Sequence, residues 1–475
     1  MSATRSSRAP GADSAGEIDW AAIEQWDRFY YLHAVQAQDE LAYVGVERTD
    51  GNYLVLSDGT RLLDFQSQLI SDSLGHRHPN VHAEIARAME RFGHVFFGLG
   101  TDYRARAAKL VIEDVLGAPD SWAGRIRILS SGSEAVECAY AMARHYTGRP
   151  LILTQAHSYH GLTVGSTRLR GYRGHLTPPA EHTEARDVPG FETTGFVEIP
   201  APEFYDYEGP RPLPSLAATE EIIVDVGPEN IAGVVTEAMF GAAGLLPPDD
   251  YLPALRELAL KYDLLWIADE VLTGFGRLGE WFAYQCYDDI EPDLMVIGKG
   301  LNGCALPCGG VVARTDIGEF FDRARWWSGS TNDAHPLVCA SIVGAVETML
   351  EDDMLSRVRT LGDRLERGLT ELGERHPSVG RVSGKGLYYA VDLVDAEGQP
   401  VIREDRVTRF TGDLAGQPNA IVARECAARG VFLGGFLPNT VKLGPPFTVS
   451  EAEIDQGLAA FDEALTVIDD MVADA

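Results

Sequence analysis

Short runs of apolar residues alternate with helical patterns through the middle of the chain. Six runs are apolar at nearly every position, as strands buried on both faces are: residues 126–128, 150–154, 231–236, 264–268, 294–297 and 309–313. Residues 80–92, by contrast, place apolar side chains three and four positions apart, which predicts a helix. This alternation predicts an α/β fold with a mainly parallel central sheet flanked by helices.

The two ends of the chain show a different pattern. Alternation of apolar and polar residues on either side of an Asp-Gly pair predicts a hairpin over residues 43–56. The C-terminal part begins with a long helical pattern over 342–375 and continues with short strands near 379–382 and 387–393. An amphipathic helix is expected from residue 450 onward. These features predict a smaller α+β domain.

This change of pattern predicts the domain boundaries along the 475 residues. At roughly 150 residues per domain, length alone suggests about three units, but the pattern favours one large domain and one small domain. The expected segments are a disordered tail over 1–16, a segment over 17–70 that joins the small domain, a large domain over 71–339 and a C-terminal small domain over 340–475. The stretches 171–215 and 395–417 are expected at the surface, and the sequence leaves their role open.

The chain is strongly acidic, with 40 Lys and Arg against 71 Asp and Glu and a formal net charge of −31. Such a field repels phosphate backbones and anionic lipids, so neither nucleic acid nor a membrane is an expected partner. No 18 consecutive residues are apolar, and the N-terminus lacks the apolar core of a secretory signal. The six cysteines form no Cys-x-x-Cys pair, which argues against a metal site and favours the reducing cytoplasm.

Charged residues follow two of the expected strands directly. Asp269 and Glu270 come after the run 264–268, and Lys299 stands between two glycines after the run 294–297. Ligands of open α/β sheets bind at the carboxyl ends of strands. Desolvation there would lower the pKa of the Lys299 ammonium and make the amine a nucleophile toward an aldehyde. Taken alone, however, Lys299 also fits an ordinary surface turn.

Two further segments change this interpretation. Residues 130–133 (Ser-Ser-Gly-Ser) join a strand to a helix, where free N–H groups suit a phosphate, and Tyr159 follows another strand and could stack on a planar ligand. Each segment alone also fits a common feature, a capped helix or a loop aromatic. Together with the carboxylate and the lysine, they are the groups needed to bind pyridoxal 5′-phosphate (PLP).

At these positions the sequence resembles the class III aminotransferases, the ω-aminotransferase-like branch of PLP fold type I. The resemblance is colinear from Tyr43 to the C-terminus, and Lys299 follows Asp269 by 30 residues as in the family. The matching segments are 74–79 (Leu-Gly-His-Arg-His-Pro), 131–135 (Ser-Gly-Ser-Glu-Ala), 159–161 (Tyr-His-Gly), 268–279 (Ala-Asp-Glu-Val-Leu-Thr-Gly-Phe-Gly-Arg-Leu-Gly) and 298–300 (Gly-Lys-Gly).

The resemblance implies a role for each matching residue. Lys299 would hold PLP through a Schiff base and then move a proton, while Asp269 would pair with the pyridinium nitrogen. Val271 and Tyr159 would pack on the two faces of the ring. Thr331 would complete the phosphate site of a partner subunit, so the resemblance also implies a homodimer with shared sites. The remaining implied cofactor-binding residues are Gly132, Ser133, His160 and Glu237.

Departures from the family pattern leave the substrates open. Lys442 stands before Pro445-Pro446, where many relatives carry an arginine that grips a carboxylate bidentately; it is a candidate substrate-binding residue without that fork. We therefore expect a PLP-dependent aminotransferase that uses an amine, amino acid or ω-amino acid donor and a 2-oxo acid or carbonyl acceptor by a ping-pong mechanism. The alternatives are another fold type I enzyme (epimerase, aminomutase or decarboxylase) and, because residues 274–279 read Gly-x-Gly-x-x-Gly, a nicotinamide-dependent oxidoreductase.

Overall fold

The structure is a computed structural model of the chain. It describes residues 18–34, 38, 42–168, 195–204, 206–241, 244–326, 328–402, 416–434 and 437–473. The tail expected over 1–16 lies outside the described residues, as do large parts of the stretches 171–215 and 395–417.

Fourteen strands lie within the described residues. They are β1 (Val46–Asp50), β2 (Tyr53–Leu56), β3 (Arg61–Asp64), β4 (Ala123–Leu129), β5 (Leu151–Gln155), β6 (Phe196–Ile199), β7 (Ile231–Glu237), β8 (Leu265–Asp269), β9 (Leu294–Gly298), β10 (Gly309–Arg314), β11 (Val379–Lys385), β12 (Tyr388–Leu393), β13 (Val431–Phe432) and β14 (Thr440–Leu443). All six strands expected from the apolar runs form.

Thirteen α-helices accompany these strands in the described part of the chain. They are α1 (Trp20–Tyr30), α2 (Ser67–Ile70), α3 (Pro79–Arg91), α4 (Asp102–Lys109), α5 (Gly132–Thr147), α6 (Val164–Arg168), α7 (Pro214–Val226), α8 (Tyr251–Lys261), α9 (Thr315–Phe321), α10 (Pro336–Glu351), α11 (Met354–Arg375), α12 (Pro418–Ala428) and α13 (Glu451–Ala473). None of the described helices combines the length and apolar character needed to cross a bilayer.

The large sheet has seven strands in the order β4-β10-β9-β8-β7-β5-β6. Strands β6, β5, β7, β8 and β9 are parallel to one another, while β10 is antiparallel to both β9 and β4. Every residue of β7, β8 and β9 is buried, which explains why these strands are apolar nearly throughout. Because β4 lies antiparallel to β10, it points the same way as the parallel strands and ends at the same edge.

The structure corrects two details of the sequence prediction. Strand β6 forms within the stretch 171–215, where no strand was expected, because pairing with β5 outweighs the weak local pattern. The helix expected over 342–375 is two helices, α10 and α11, interrupted at Asp353. Asp353 has φ +47°, a left-handed conformation that an α-helix cannot contain.

Two smaller sheets contain residues from the chain ends. Strands β1, β2 and β3 form a sheet with β13, so the N-terminal hairpin pairs with the C-terminal part of the chain. The third sheet has the order β11-β12-β14. Strand β12 begins with Tyr388, whose side chain is fully buried, and β14 places Lys442 opposite Ala390. This third sheet therefore brings a lysine and a buried tyrosine toward the loops of the large sheet.

Candidate active site

Asp269 ends strand β8 and lies in a buried hydrogen-bond network. Its Oδ2 atom lies 2.6 Å from His160 Nδ1, and its Oδ1 atom accepts a hydrogen bond from the Val271 amide at 3.0 Å. Burial lowers the pKa of the His160 ring, but the hydrogen bond and charge of Asp269 outweigh that effect and raise it overall. The pair therefore places a carboxylate, hydrogen-bonded to an imidazole, at the edge of the sheet.

Glu237 ends the neighbouring strand β7, directly opposite Asp269 in the strand register. Its two carboxylate oxygens accept hydrogen bonds from the Tyr159 amide at 2.7 Å and the Gly241 amide at 2.9 Å. Burial raises the pKa of Glu237 to about 7, and the charge of Asp269 adds to the rise, although His160 and the two amides oppose it. Two carboxylates thus stand side by side at adjacent strand ends.

Lys299 follows β9 and begins a short 3-10 turn over Lys299–Asn302. It adopts φ +39°, a left-handed conformation that non-glycine residues rarely take and that marks functional sites when the surroundings enforce it. Burial lowers the pKa of the ammonium, and the charges of Asp269 and Glu237 act in the opposite direction. The lysine expected to react is therefore largely desolvated and faces both strand-end carboxylates.

Helix α5 begins at the turn expected to hold a phosphate. Ser131 caps the helix, because its hydroxyl oxygen accepts a hydrogen bond from the Glu134 amide at 3.2 Å. Ser133 Oγ accepts a hydrogen bond from the Leu162 amide at 3.1 Å, so its own proton is available to another acceptor. The first N–H groups of a helix have no partner within the helix, and they carry its positive dipole end. The turn is suited to an anion.

Val271 occupies the space between this turn and the end of β9. A Cβ atom added to Gly132 would lie 3.1 Å from a Val271 methyl carbon, and one added to Gly298 would lie 3.2 Å from it. Glycine at both positions therefore allows the valine to sit beside the helix start and beside Lys299. The valine methyl groups therefore lie next to the expected phosphate position.

The structure brings most of the expected residues to one edge, but it places Thr331 elsewhere. The Thr331 side chain is exposed in a turn. This turn is held to β4 because the Ala334 amide donates a hydrogen bond to the Ile128 carbonyl at 3.1 Å. Tyr159 is 40% exposed, with its amide on Glu237. Lys442, on β14 of the third sheet, donates from Nζ to the Gly241 carbonyl at 2.5 Å.

Two buried residues of the 268–279 motif hold the fold rather than face the edge. Glu270 accepts hydrogen bonds from the amides of Ala283 at 3.0 Å and Tyr284 at 2.9 Å and from the Thr273 hydroxyl. Arg277 donates to the carbonyls of Leu387 at 3.0 Å and Pro445 at 2.7 Å, and burial lowers its pKa to about 9. Sequence reasoning missed both roles, although the strict alternation of side chains at a strand end points Glu270 away from Asp269.

The same segment does not form a dinucleotide site. Residues 271–280 form turns, and no described helix begins at Gly279. A dinucleotide fingerprint instead requires its glycines in a tight turn that opens a helix directly. Arg277 of this Gly-x-Gly-x-x-Gly segment instead donates hydrogen bonds to the Leu387 and Pro445 carbonyls, next to strands β12 and β14.

The residues at the edge fit PLP. The helix start can hold a phosphate, Val271 offers an apolar surface for a ring, and Asp269 with His160 can keep a pyridine nitrogen protonated. His160 Nε2 is buried and has no hydrogen-bond partner within the described residues, which leaves this ring nitrogen available to a polar group.

Comparison with known proteins identifies the family. The sequence model of the family 'Aminotransferase class-III' matches residues 34–465 of this chain. The chain belongs to this family. It is 32% identical over 427 residues to the putrescine–pyruvate aminotransferase of Pseudomonas aeruginosa, which covers 86% of this chain and 88% of that protein.

Solved structures of transaminases agree in fold with this chain. An S-selective transaminase from Arthrobacter sp. superposes with a TM-score of 0.90 at 37% identity, over 95% of this chain and 99% of that one. The taurine:2-oxoglutarate aminotransferase of Bifidobacterium kashiwanohense, solved in complex with PLP and glutamate, gives a TM-score of 0.85 at 27% identity, over 96% of this chain and 100% of that one. The present chain is thus a PLP-dependent aminotransferase of fold type I, as the resemblance implied.

Proposed function

We propose that this aminotransferase binds PLP at Lys299 and transfers an amino group from a primary amine or ω-amino acid to a 2-oxo acid in two half-reactions. The observation that carries the proposal is the convergence at one sheet edge of a desolvated lysine, the Asp269–His160 pair and the start of helix α5. No other arrangement in the described residues combines an amine, a paired carboxylate and an anion site.

Each residue has a definite task in this proposal. PLP supplies the carbonyl that captures an amine and the ring that accepts electrons when a bond to the substrate carbon breaks. Lys299 Nζ would hold the cofactor, and its neutral amine would remove and return the proton at the reacting carbon. Asp269 would keep the ring nitrogen protonated, and Gly132 and Ser133 would hold the phosphate.

The expected substrates are a terminal amine and a monocarboxylic 2-oxo acid. The relative from Pseudomonas aeruginosa is named for putrescine and pyruvate, a diamine and such an acid. Lys442 has no planar fork for a second carboxylate. The net charge of −31 also attracts cationic donors and repels dianionic acceptors.

We further propose a homodimer in which Thr331 reaches the phosphate site of the partner subunit. Its exposure in the single chain supports this role. Large apolar side chains are also exposed over residues 26–32 and 96–99, and these are Trp26, Phe29, Tyr30, Tyr31, Leu32, Phe96, Phe97 and Leu99. Surfaces of this kind mark protein–protein interfaces. Analytical ultracentrifugation that finds only monomers at micromolar concentration would refute the dimer.

The expected domain boundaries and location remain part of this proposal. The pairing of β3 with β13 supports a small domain built from residues 17–70 and 340–475, beside a large PLP-binding domain over 71–339. All six cysteines are free thiols, which suits a protein of the cytoplasm.

Reduction with borohydride followed by peptide mapping tests the attachment. We expect the pyridoxyl mass on the peptide that contains Lys299, and we expect Lys299→Ala to lose both the visible absorbance band and amine–pyruvate turnover while it keeps its fold. The control is Lys109→Ala, which alters an exposed lysine of α4. Full turnover in Lys299→Ala, or label on a different lysine, would refute the assignment.

A further inference from the structure

One glycine connects the end of β7 to the small sheet β11-β12-β14. The Gly241 amide donates to Glu237 Oε2 at 2.9 Å, and its carbonyl oxygen accepts hydrogen bonds from Tyr388 Oη at 3.0 Å and Lys442 Nζ at 2.5 Å. Both polar groups of the Gly241 backbone are therefore hydrogen-bonded. The amide contacts a buried carboxylate of the active site, and the carbonyl contacts two side chains of another sheet.

The two donors are held firmly by that sheet. Tyr388 is fully buried at the start of β12, and Lys442 is the β14 residue opposite Ala390. On either side of Gly241, the Phe240 amide donates to the Leu245 carbonyl at 2.8 Å and the Gly244 amide donates to the Phe240 carbonyl at 2.7 Å. The Gly241 amide and carbonyl are joined through one α-carbon, so loss of the donors on the carbonyl loosens the residue that carries the amide.

Glu237 is surrounded by titratable groups whose protonation responds to the charge of the Glu237 carboxylate. His160 and Asp269 face it from the Tyr159 loop and β8, and Lys299 faces it from the end of β9. Tyr388 faces it from β12, where burial and the charge of Glu237 raise the pKa of the phenol. A change in the hydrogen bonds of Glu237 therefore reaches the amine that is expected to react.

We propose that Lys442 and Tyr388 are positioning residues that act on Glu237 through Gly241. By fixing the Gly241 carbonyl, they keep its amide on the carboxylate, which then retains a negative charge beside Lys299. In this arrangement Lys442 supports the site without contacting substrate. The link between the charge of Glu237 and turnover rests on the proposed role of Lys299, whereas the link through Gly241 does not.

Hydrogen exchange in the holoenzyme tests the link itself. We expect Lys442→Met to increase amide exchange in the peptide that spans Glu237 to Gly241 severalfold, and Tyr388→Phe to increase it less. Lys442→Arg keeps a donor and should restore protection. The matched control is Lys385→Met, which alters an exposed lysine of the same sheet. Tyr388→Phe removes a single hydroxyl and tests the proposal even if Lys442→Met does not fold.

Infrared spectroscopy of protonated carboxyl groups tests the effect on Glu237, with Glu237→Gln as the reference for its band. The wild-type midpoint should lie near pH 7, and Lys442→Met should move it upward by about one pH unit, the size expected when one hydrogen bond to a carboxylate weakens. An unchanged midpoint and unchanged exchange, with KM raised only for the 2-oxo acid, would overturn the proposal and make Lys442 a substrate ligand. If both readouts shift while Lys299→Ala stays active, the link holds and the proposed function fails.

Discussion

Asp269 and Glu270 are adjacent buried carboxylates at the end of β8, yet they serve different regions. Asp269 faces the edge of the sheet, where it contacts His160 and the Val271 amide. Glu270 faces the opposite direction and holds the loop that leads to Tyr284. Successive side chains at a strand end point to opposite sides, so one residue step separates the carboxylate at the proposed cofactor site from a structural one. Position at the strand end therefore decides which carboxylate faces the proposed site.

The contrast also shows that a perturbed pKa does not identify the reactive group. Burial raises the pKa of both Glu237 and Glu270 to about 7, although only Glu237 adjoins Lys299. Structural networks shift pKa values as strongly as catalytic ones do. Both carboxylates accept hydrogen bonds from two backbone amides, so the decisive difference is the third kind of neighbour: Glu237 adjoins the charges of His160 and Lys299, whereas Glu270 accepts from the Thr273 hydroxyl.

The largest expected effect in this comparison is on turnover in Asp269→Asn. The amide carries no charge to keep the ring nitrogen protonated, so kcat should fall by about 10²–10³-fold, the usual loss when a preorganised electrostatic partner is removed. Stopped-flow measurement of the first half-reaction with an amine donor checks this, and far-UV circular dichroism verifies the fold. A decrease smaller than about fivefold would contradict the role assigned to Asp269.

Glu270→Gln should give the complementary result, a loss of stability with little loss of kcat. The glutamine amide cannot accept hydrogen bonds at both positions, so one buried amide loses its partner at a cost of about 1–3 kcal/mol. Urea unfolding monitored by tryptophan fluorescence measures the change. If Glu270→Gln instead unfolds like wild type and turns over as slowly as Asp269→Asn, the division between the two carboxylates is wrong.

A third expectation concerns the pH dependence of stability. The pKa of Glu270 is about 7 in the folded protein and 4.5 as its ordinary value, so between these pH values the folded state holds a proton that the unfolded state has released. This contribution is complete below about pH 4.5 and is lost as the pH rises through 7. In the cofactor-free protein, Glu270→Gln should therefore lessen the decline of the free energy of unfolding over that range by up to about 1.4 kcal/mol per pH unit. An identical slope in both proteins would contradict it.

The smallest effect is expected from Thr273→Val, which removes the hydroxyl donor to Glu270 and keeps the side-chain shape. The two amides still hold the carboxylate, so stability should fall by about 1 kcal/mol. Differential scanning calorimetry should record a slightly lower Tm, and the KM values for both substrates should stay at the wild-type level. A change in KM would mean that the Glu270 loop reaches the substrate cleft after all.

Much of the fold was accessible from sequence because the central strands are buried on both faces. The run that became β9 is apolar and bounded by Asp293 and Lys299, so its limits are visible without a structure. The direction of β10 was not visible, since a short apolar strand reads the same whether its neighbours are parallel or antiparallel. The interruption at Asp353 was hidden for another reason: the helical spacing continues on both sides of a single left-handed residue.

The candidate site divides along similar lines. Residues in continuous motifs, such as Asp269 and Lys299, were predictable because their order along the chain is itself the signal. The contact of His160 with Asp269 joins residues 109 positions apart, and the contact of Lys442 with Gly241 joins residues 201 apart. No local pattern encodes such contacts, because they depend on how the sheets pack. The sequence therefore predicts which residues lie at the strand ends more readily than it predicts what they touch.

The two glycines beside Val271 set a limit on how this scaffold can be diversified. At Gly132 or Gly298 even one added carbon would stand within 3.2 Å of a methyl group of Val271, the residue expected to pack against the cofactor ring. A mutational library aimed at new amines can therefore keep both codons fixed and lose few useful variants.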